Sequence, residues 1–382
     1  MTTPLKGIRV LDLGIVIAGP FTGSLLVDLG ADVIKVEGLQ GDHFRDYEAG
    51  FNVLNLSKRS VRINLRSKAG RAAFLKLVDT ADVVLENFRP SVMDRLDLGW
   101  KILHERNHRL VYCSISGFGD SGPYQDRPAY DTSIQSVSGF LSLMIDPERP
   151  SISGPPIGDS ATALYACNGI LGALLERTRT GVGRRVDVSM IEALMAFGNQ
   201  AYAHYFFTGE VPGPATRAGV AQAYAIVCQD GKSIGIHLSS GEAVWSGLLS
   251  AMDKLDWASD ARFHTYEDRV KNYDVLNQEL SAVFAMSSRA DLLMRLEAND
   301  VPCAPVNRVN EAAVDPQVRH LRTIREIVGV SGKPAQAIRS PVRYDGERAD
   351  TVASPPSLGA HTEEILRECG LSDEDIAEVV KG

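Results

Sequence analysis

Val10-Leu11-Asp12-Leu13-Gly14-Ile15-Val16-Ile17-Ala18-Gly19-Pro20-Phe21, followed by Leu29-Gly30-Ala31-Asp32-Val33-Ile34-Lys35-Val36-Glu37, is the stretch on which the fold turns. Gly7 to Leu13 reads as a short buried strand, Phe21 to Leu29 as a helix closed by Gly30, and Ala31 to Glu37 as a second strand. A βαβ unit therefore opens the chain. Further apolar strands follow at Val61 to Leu65, Asp82 to Leu85, Leu110 to Ser116 and Arg185 to Ser189, with helical periodicity near 68–80 and 160–178 between some of them. This alternation predicts an α/β fold built on a Rossmann-like, doubly wound parallel sheet.

From about Tyr224 the texture changes. Tyr224 to Cys228 and Ser233 to Leu238, joined through Gln229-Asp230-Gly231, read as a hairpin, and helix-rich sequence runs on to about Asp300. A second, smaller α+β domain is expected here, which agrees with length: 382 residues exceed the ~250–300 at which single cores stop growing. The tail from Leu358 to Val380 reads as helical, with Ser372-x-x-Asp375 as a capping-box start.

Bulk composition excludes several classes of function. The chain is 44% hydrophobic and 23% charged with a formal net charge of −8, and no Lys/Arg-rich run marks a surface that would track phosphates. Nucleic acid is not an expected partner. Met1 to Gly7 lacks the basic start and apolar core of a signal peptide, and no apolar run reaches the roughly 18 residues of a membrane span, so a cytoplasmic protein without membrane contact is expected. The five cysteines are odd in number and far apart, which suits buried free thiols better than a disulfide framework.

Four local motifs invite other readings. His104-Glu105-Arg106-Asn107-His108 matches H-E-x-x-H, but Lys101 to Arg109 is mostly polar and no third ligand is near; no metal is expected. Gly14-Ile15-Val16-Ile17-Ala18-Gly19, with Glu37 ending the second strand, imitates a dinucleotide site. Four side-chain-bearing residues nevertheless separate the two glycines where a pyrophosphate needs bare backbone, which argues against a nicotinamide enzyme. Gly119-Asp120-Ser121-Gly122-Pro123 looks like a serine-protease nucleophile segment but sits in a Gly/Pro-rich loop and reads as a turn. Asp159-Ser160 follows Gly154-Pro155-Pro156-Ile157-Gly158 and opens a periodic helix with Leu164, Cys167, Leu171 and Leu174 on one face. Taken alone, the pair reads as an N-cap; spacing does not make Asp159 catalytic.

The opening stretch resembles the class III coenzyme A transferases, and further blocks carry the resemblance nearly end to end. They include Lys58-Arg59-Ser60, Glu86-Asn87-Phe88-Arg89-Pro90, Ser116-Gly117-Phe118-Gly119, Gly158-Asp159-Ser160, Leu171 to Arg177, Gly181-x-Gly183, Val301 to Asn307, Asp315 to Val318 and Leu358 to Thr362. The resemblance implies an interlocked homodimer. Each protomer would have a large coenzyme A-binding domain (1–200, completed by about 330–382), a small domain (225–325), and linkers at about 200–224 and 325–340. It implies no permanently bound cofactor, with acyl-coenzyme A and a carboxylic acid as substrates. It maps the family's nucleophile onto Asp159 and its coenzyme A contacts onto Ile17, Ala18, Ile63, Arg66, Asn87, Phe88, Arg95 and Tyr130. Arg66 and Arg95 would donate to phosphates, while Ile17, Ile63 and Phe88 would wall the adenine.

The implied reaction runs through a mixed anhydride and a coenzyme A thioester on Asp159. An unperturbed Asp, with a pKa of about 3.9, is ionised at neutral pH, so the helix dipole is not needed to create the nucleophile. Proximity in a dry cleft, a term that reaches ~7–11 kcal/mol, would carry the rate. Two positions depart from the family pattern. Gly38 stands where several relatives carry a basic residue that holds the nucleotide, leaving Arg45 and Lys35 to compensate. Leu238-Ser239-Ser240-Gly241 replaces the oligoglycine loop of formyl- and oxalate-type enzymes, which argues against those small acids. The α-methylacyl-coenzyme A racemases share the scaffold but place a histidine directly before an aspartate. Here that dipeptide is Tyr130-Asp131, and a tyrosine near pKa ~10 is a poor base at neutrality. A catalytically silent coenzyme A-binding protein is the remaining alternative, and the retained Asp159 argues against it.

Overall fold

The computed structural model describes residues 3–239, 241–348 and 352–381; Ser240, in the Leu238 to Gly241 departure, lies outside them. The chain divides into two compact units. One comprises Met1–Leu141, Ile152–Asn199 and Arg319–Gly382; the other comprises Ser142–Ser151 and Gln200–Val318.

The first unit is built on six strands: β1 (Arg9–Asp12), β2 (Asp32–Glu37), β3 (Arg59–Arg62), β4 (Val83–Glu86), β5 (Val111–Ser116) and β6 (Arg185–Ser189). All neighbours pair in parallel, in the order β3-β2-β1-β4-β5-β6. Alternate side chains feed two cores. From the central strands, Leu11, Ile34 and Val84 face one way, onto α3 (Lys68–Asp79) and the C-terminal helices Thr362–Glu368 and Asp373–Lys381, through Phe74, Leu77, Leu366 and Ile376. Val10, Val33, Val83 and Val111 face the other way, onto α1 (Ala18–Asp28), α7 (Ile157–Thr180) and α8 (Met190–Phe197), through Leu26, Ile170 and Leu194. Coverage on both faces is why these strands read as continuous apolar runs. Each fully buried Leu or Phe here contributes roughly 1.5–3 kcal/mol.

The other helices of this unit that bear on the site are α2 (Glu48–Asn55), α4 (Val92–Arg95), α5 (Trp100–Arg106) and α6 (Asp131–Val137). The sheet order reverses direction between β1 and β4. The crevice at the carboxyl ends of those two strands is where α/β sheets of this type place ligands.

The second unit holds a three-stranded antiparallel sheet, β7 (Ala223–Val227), β8 (Ser233–His237) and β9 (Cys303–Pro305). Its strands pack on helices Glu242–Met252, Tyr273–Phe284 and Arg289–Ala298 through Trp245, Leu280 and Leu296.

Two details add to the sequence reading. The stretch 200–224 carries helices Asn199–Thr208 and Thr216–Ala221, and 325–340 holds an antiparallel hairpin, Ile324–Val328 with Pro334–Ile338, that packs Ile327 and Ala337 on Leu56. Neither behaves as bare linker, because both bury apolar residues or satisfy their own backbone. The long helix begins at Ile157 rather than at Asp159. The H-E-x-x-H segment falls at a helix end: α5 stops at Arg106, and His104 stacks on Trp100 at 4.3 Å.

Candidate active site

The crevice floor is the loop from Gly14 to Ile17, and its shape follows from buried charge beneath it. Lys58, fully buried, donates to Asp12 (2.7 Å), Pro20 O (2.8 Å) and Asn55 (3.0 Å). Burial pulls the Lys58 ammonium down to about 8 against the pull of the Asp12 carboxylate. Lys35, also fully buried, donates to Gly14 O (2.9 Å) and Asp42 (3.0 Å). The Asp42 carboxylate in turn accepts from Val16 N. Burial would raise Asp42, but the Lys35 charge and the Phe44 and Val16 amides outweigh it and hold the carboxyl below its ordinary range. Val16 sits at φ 64°, a left-handed conformation costly for a β-branched side chain.

Across the crevice, Asn87 at the end of β4 clasps the same loop, accepting from Ile15 N (2.8 Å) and donating to Ile15 O (2.9 Å). The two glycines of the dinucleotide-like motif have another purpose. A Cβ on Gly14 would come within 2.7 Å of the Gly19 Cα, so the loop folds back on itself where only bare backbone fits.

Asp159 enters from α7 as its third residue. The N-cap is Pro156, with no side-chain cap of its own. The N–H groups of this first turn are nonetheless occupied: Ile157 N reaches Pro155 O, Ser160 N reaches Pro156 O, and Gly158 N and Asp159 N both reach Asp131 Oδ1, at 2.7 and 3.2 Å. Asp131 is the first residue of α6, and Gln135 one turn on donates to its other oxygen at 2.5 Å. The N-cap reading of Asp159 is thus replaced: another aspartate caps the helix, and the Asp159 carboxylate has no hydrogen bond or ion pair among the described residues. Burial first, and the nearby Asp131 charge second, push the Asp159 carboxyl up to about 7. The expectation of an ordinary, fully ionised carboxylate at neutral pH is corrected by desolvation.

Asp159 lines a cleft of about 340 Å³ together with Ile17, Ala18, Asn87, Phe88 and Tyr130. The structure therefore brings six of the nine expected residues together. The other three lie elsewhere. The Ile63 side chain is fully buried in the core against α3 and the C-terminal helices, so it cannot wall an adenine. Arg66 is exposed after β3 and does not line the cleft. Arg95 is exposed and donates to Ser91 Oγ; it stands one turn beyond Val92, which does line the cleft. Neither proposed substitute for a basic residue at Gly38 is free, since Lys35 is committed beneath the loop and Arg45 is bound to Glu37 (2.6 Å) and Pro356 O.

The cations the cleft does present are Arg89 and Arg127, with His43. Among the described residues neither arginine makes an ion pair, and Arg127 lies over the Tyr124 ring at 3.6 Å. Arg89 was within reach of sequence reasoning, standing next to Phe88 in a quoted block; Arg127 and Asp131 carry no local signal for these roles. A second cleft of about 440 Å³ adjoins the first, sharing Phe88, Arg89, Pro90, Val92, Ser116 and Gln125 with it. Within it, burial pushes Glu86 up to about 7 despite hydrogen bonds from Phe88 N and the Tyr112 hydroxyl. Such an arrangement offers a carboxyl nucleophile or proton carrier in an apolar crevice, with arginines for an anionic ligand.

Comparison with known proteins places the chain in a family. Residues 5–362 match the family model described as CoA-transferase family III. The chain is 32% identical to the succinate–glutarate CoA-transferase of Agrobacterium fabrum over 96% of its own length and 95% of the relative's. It is also 32% identical to the formyl-CoA:oxalate CoA-transferase of Streptomyces avermitilis, over 98% of each. Among solved structures, a CaiB/BaiF family protein from Brucella suis superposes with a TM-score of 0.86 at 32% identity, covering 97% of this chain and all of that one. A match to the family model along nearly the whole sequence, with relatives 32% identical over almost their full length, makes this chain a member of CoA-transferase family III.

Proposed function

We propose that the protein is an acyl-coenzyme A:carboxylate coenzyme A-transferase that works through a covalent intermediate on Asp159, as a homodimer. The observation that carries this reading is the Asp159 carboxylate itself: it lines an apolar cleft, and no donor or cation among the described residues engages it. A carboxyl kept for structure would be capping or paired.

In the first step an Asp159 oxygen bonds to the thioester carbonyl carbon, the C–S bond breaks, and coenzyme A leaves as thiolate. The thiolate then attacks the aspartyl carbonyl and expels the donor acid, leaving an aspartyl thioester. The acceptor carboxylate reverses both steps. Attack needs the ionised carboxylate, so a carboxyl near 7 makes adduct formation rise as pH climbs from about 6 to 8. The adjoining clefts suit a long ligand, with the thioester at Asp159, Phe88 against its body, and Arg89 and Arg127 facing its phosphates. Arg95 stands one turn beyond Val92 at the rim.

A screen of acyl-coenzyme A donors against free acids, read by mass spectrometry in deuterated solvent, tests the reading. New coenzyme A esters without α-deuteration are expected, from material eluting at about twice the 41.4 kDa chain mass. Exchange of the α-hydrogen without transfer would instead make the protein a racemase. Binding with neither outcome would make it a silent binder, and activity at the chain mass would remove the dimer.

A further inference from the structure

We propose that Asp131 is a positioning residue for this transfer: its carboxylate takes the free backbone donors at the start of α7, which keeps the Asp159 carboxylate unpaired at the cleft and makes it a more basic nucleophile. The proposal rests on the reading of Asp159 as the nucleophile. An acid in the third position of a helix normally reaches back to the N-cap N–H or is neutralised by the first-turn donors. Both routes are closed here. Proline at position 156 has no N–H to offer, and the Gly158 and Asp159 amides are spent on Asp131 Oδ1. The approach is so close that a Cβ on Gly158 would stand 2.9 Å from that oxygen, which accounts for glycine directly before the nucleophile.

Asp131 also places a second negative charge beside Asp159, and like charge favours the protonated form of its neighbour. A more basic carboxylate attacks a thioester carbonyl more readily once ionised. The other ionisable groups lining the cleft are His43, Arg89, Arg127 and Tyr130; α1 and α8 contribute Ala18 and Met190 to the lining and no ionisable side chain.

The capping and the charge can be separated because Gln135 supplies the means. Its Nε2 donates to Asp131, while its Oε1 is buried without a hydrogen-bond partner among the described residues. In Asp131→Asn the new carbonyl oxygen keeps the two α7 amides, and Gln135 turns its amide over so that Oε1 accepts from the new NH₂. The helix stays capped and the charge is gone. Asp131→Ser is a second uncharged variant that retains an acceptor oxygen.

The test follows the Asp159 carboxyl by carbon NMR on selectively labelled full-length protein, assigned by its loss in Asp159→Asn, alongside the pH profile of adduct formation with an acyl-coenzyme A. In Asp131→Asn, with thermal stability unchanged, the Asp159 titration midpoint should fall by on the order of one unit. It should stay above the ordinary carboxylate range because desolvation remains, and the adduct profile should move the same way. An unmoved midpoint in both folded variants overturns the proposal. The NMR arm needs no substrate, so absence of any adduct in the unsubstituted protein would sink the transferase reading and still leave the influence of Asp131 on Asp159 decided.

Discussion

Asp159 is held without the partners that would make it an ordinary carboxylate, and that has a consequence for stability. Its folded pKa lies near 7, above the usual 3.8, so the unfolded chain gives up this proton more easily. The unfolded state therefore binds fewer protons between about pH 4 and 7, stability falls as pH rises through that window, and the whole penalty is present above it. Asp159→Asn should raise the melting temperature at pH 8 by about 1–3 °C and by less at pH 5. Equal melting temperatures at pH 8 would mean the carboxyl is not held against its ionisation. At this scale the sequence was legible only in part. Asp159, Asn87, Phe88, Tyr130, Ile17 and Ala18 were named through resemblance and the fold gathers them. Ile63 was named through the same resemblance, but its side chain lies in the core against α3 rather than at the cleft, a burial that a carried-over position does not record. Asp131 was noted only as the neighbour of Tyr130, because capping across 27 residues exists only once α6 and α7 are packed.

The loop between β1 and α1 shows how an element is fixed by what lies beneath it. The opening stretch announced a βαβ unit, and its strands and helix fall where the apolar runs place them. What the letters did not show is that Lys35 and Lys58 are interior groups, since a lysine in a strand reads as solvent-facing until the loop above it is closed. The left-handed Val16 is held by Asp42, itself held by Lys35. Val16→Gly relieves the conformation, a gain of about 1 kcal/mol, while loosening the cleft floor. Denaturant titration should show equal or greater stability, and kinetics should show a raised KM for every coenzyme A ester with kcat little changed. A loss of stability above about 1 kcal/mol would mean that Val16 packing outweighs its strain.

For the whole molecule, the parallel sheet and the small antiparallel unit were readable because periodicity and turn residues are local properties. The division of the chain into units was less so. Arg319–Gly382 joins the N-terminal sheet through contacts no local pattern records, including Arg59 with Glu364 and Glu368. Coenzyme A transfer was legible through resemblance to the family, whereas whether one carboxylate attacks carbon or moves a proton is a property that no sequence pattern records. The most direct measurement is therefore a covalent one. Protein incubated with an acyl-coenzyme A donor, digested and analysed by mass spectrometry, should carry coenzyme A on the peptide containing Asp159. Hydroxylamine should release it, and Asp159→Asn should lack it while still binding coenzyme A. A donor that is turned over while no adduct forms on that peptide would contradict the account.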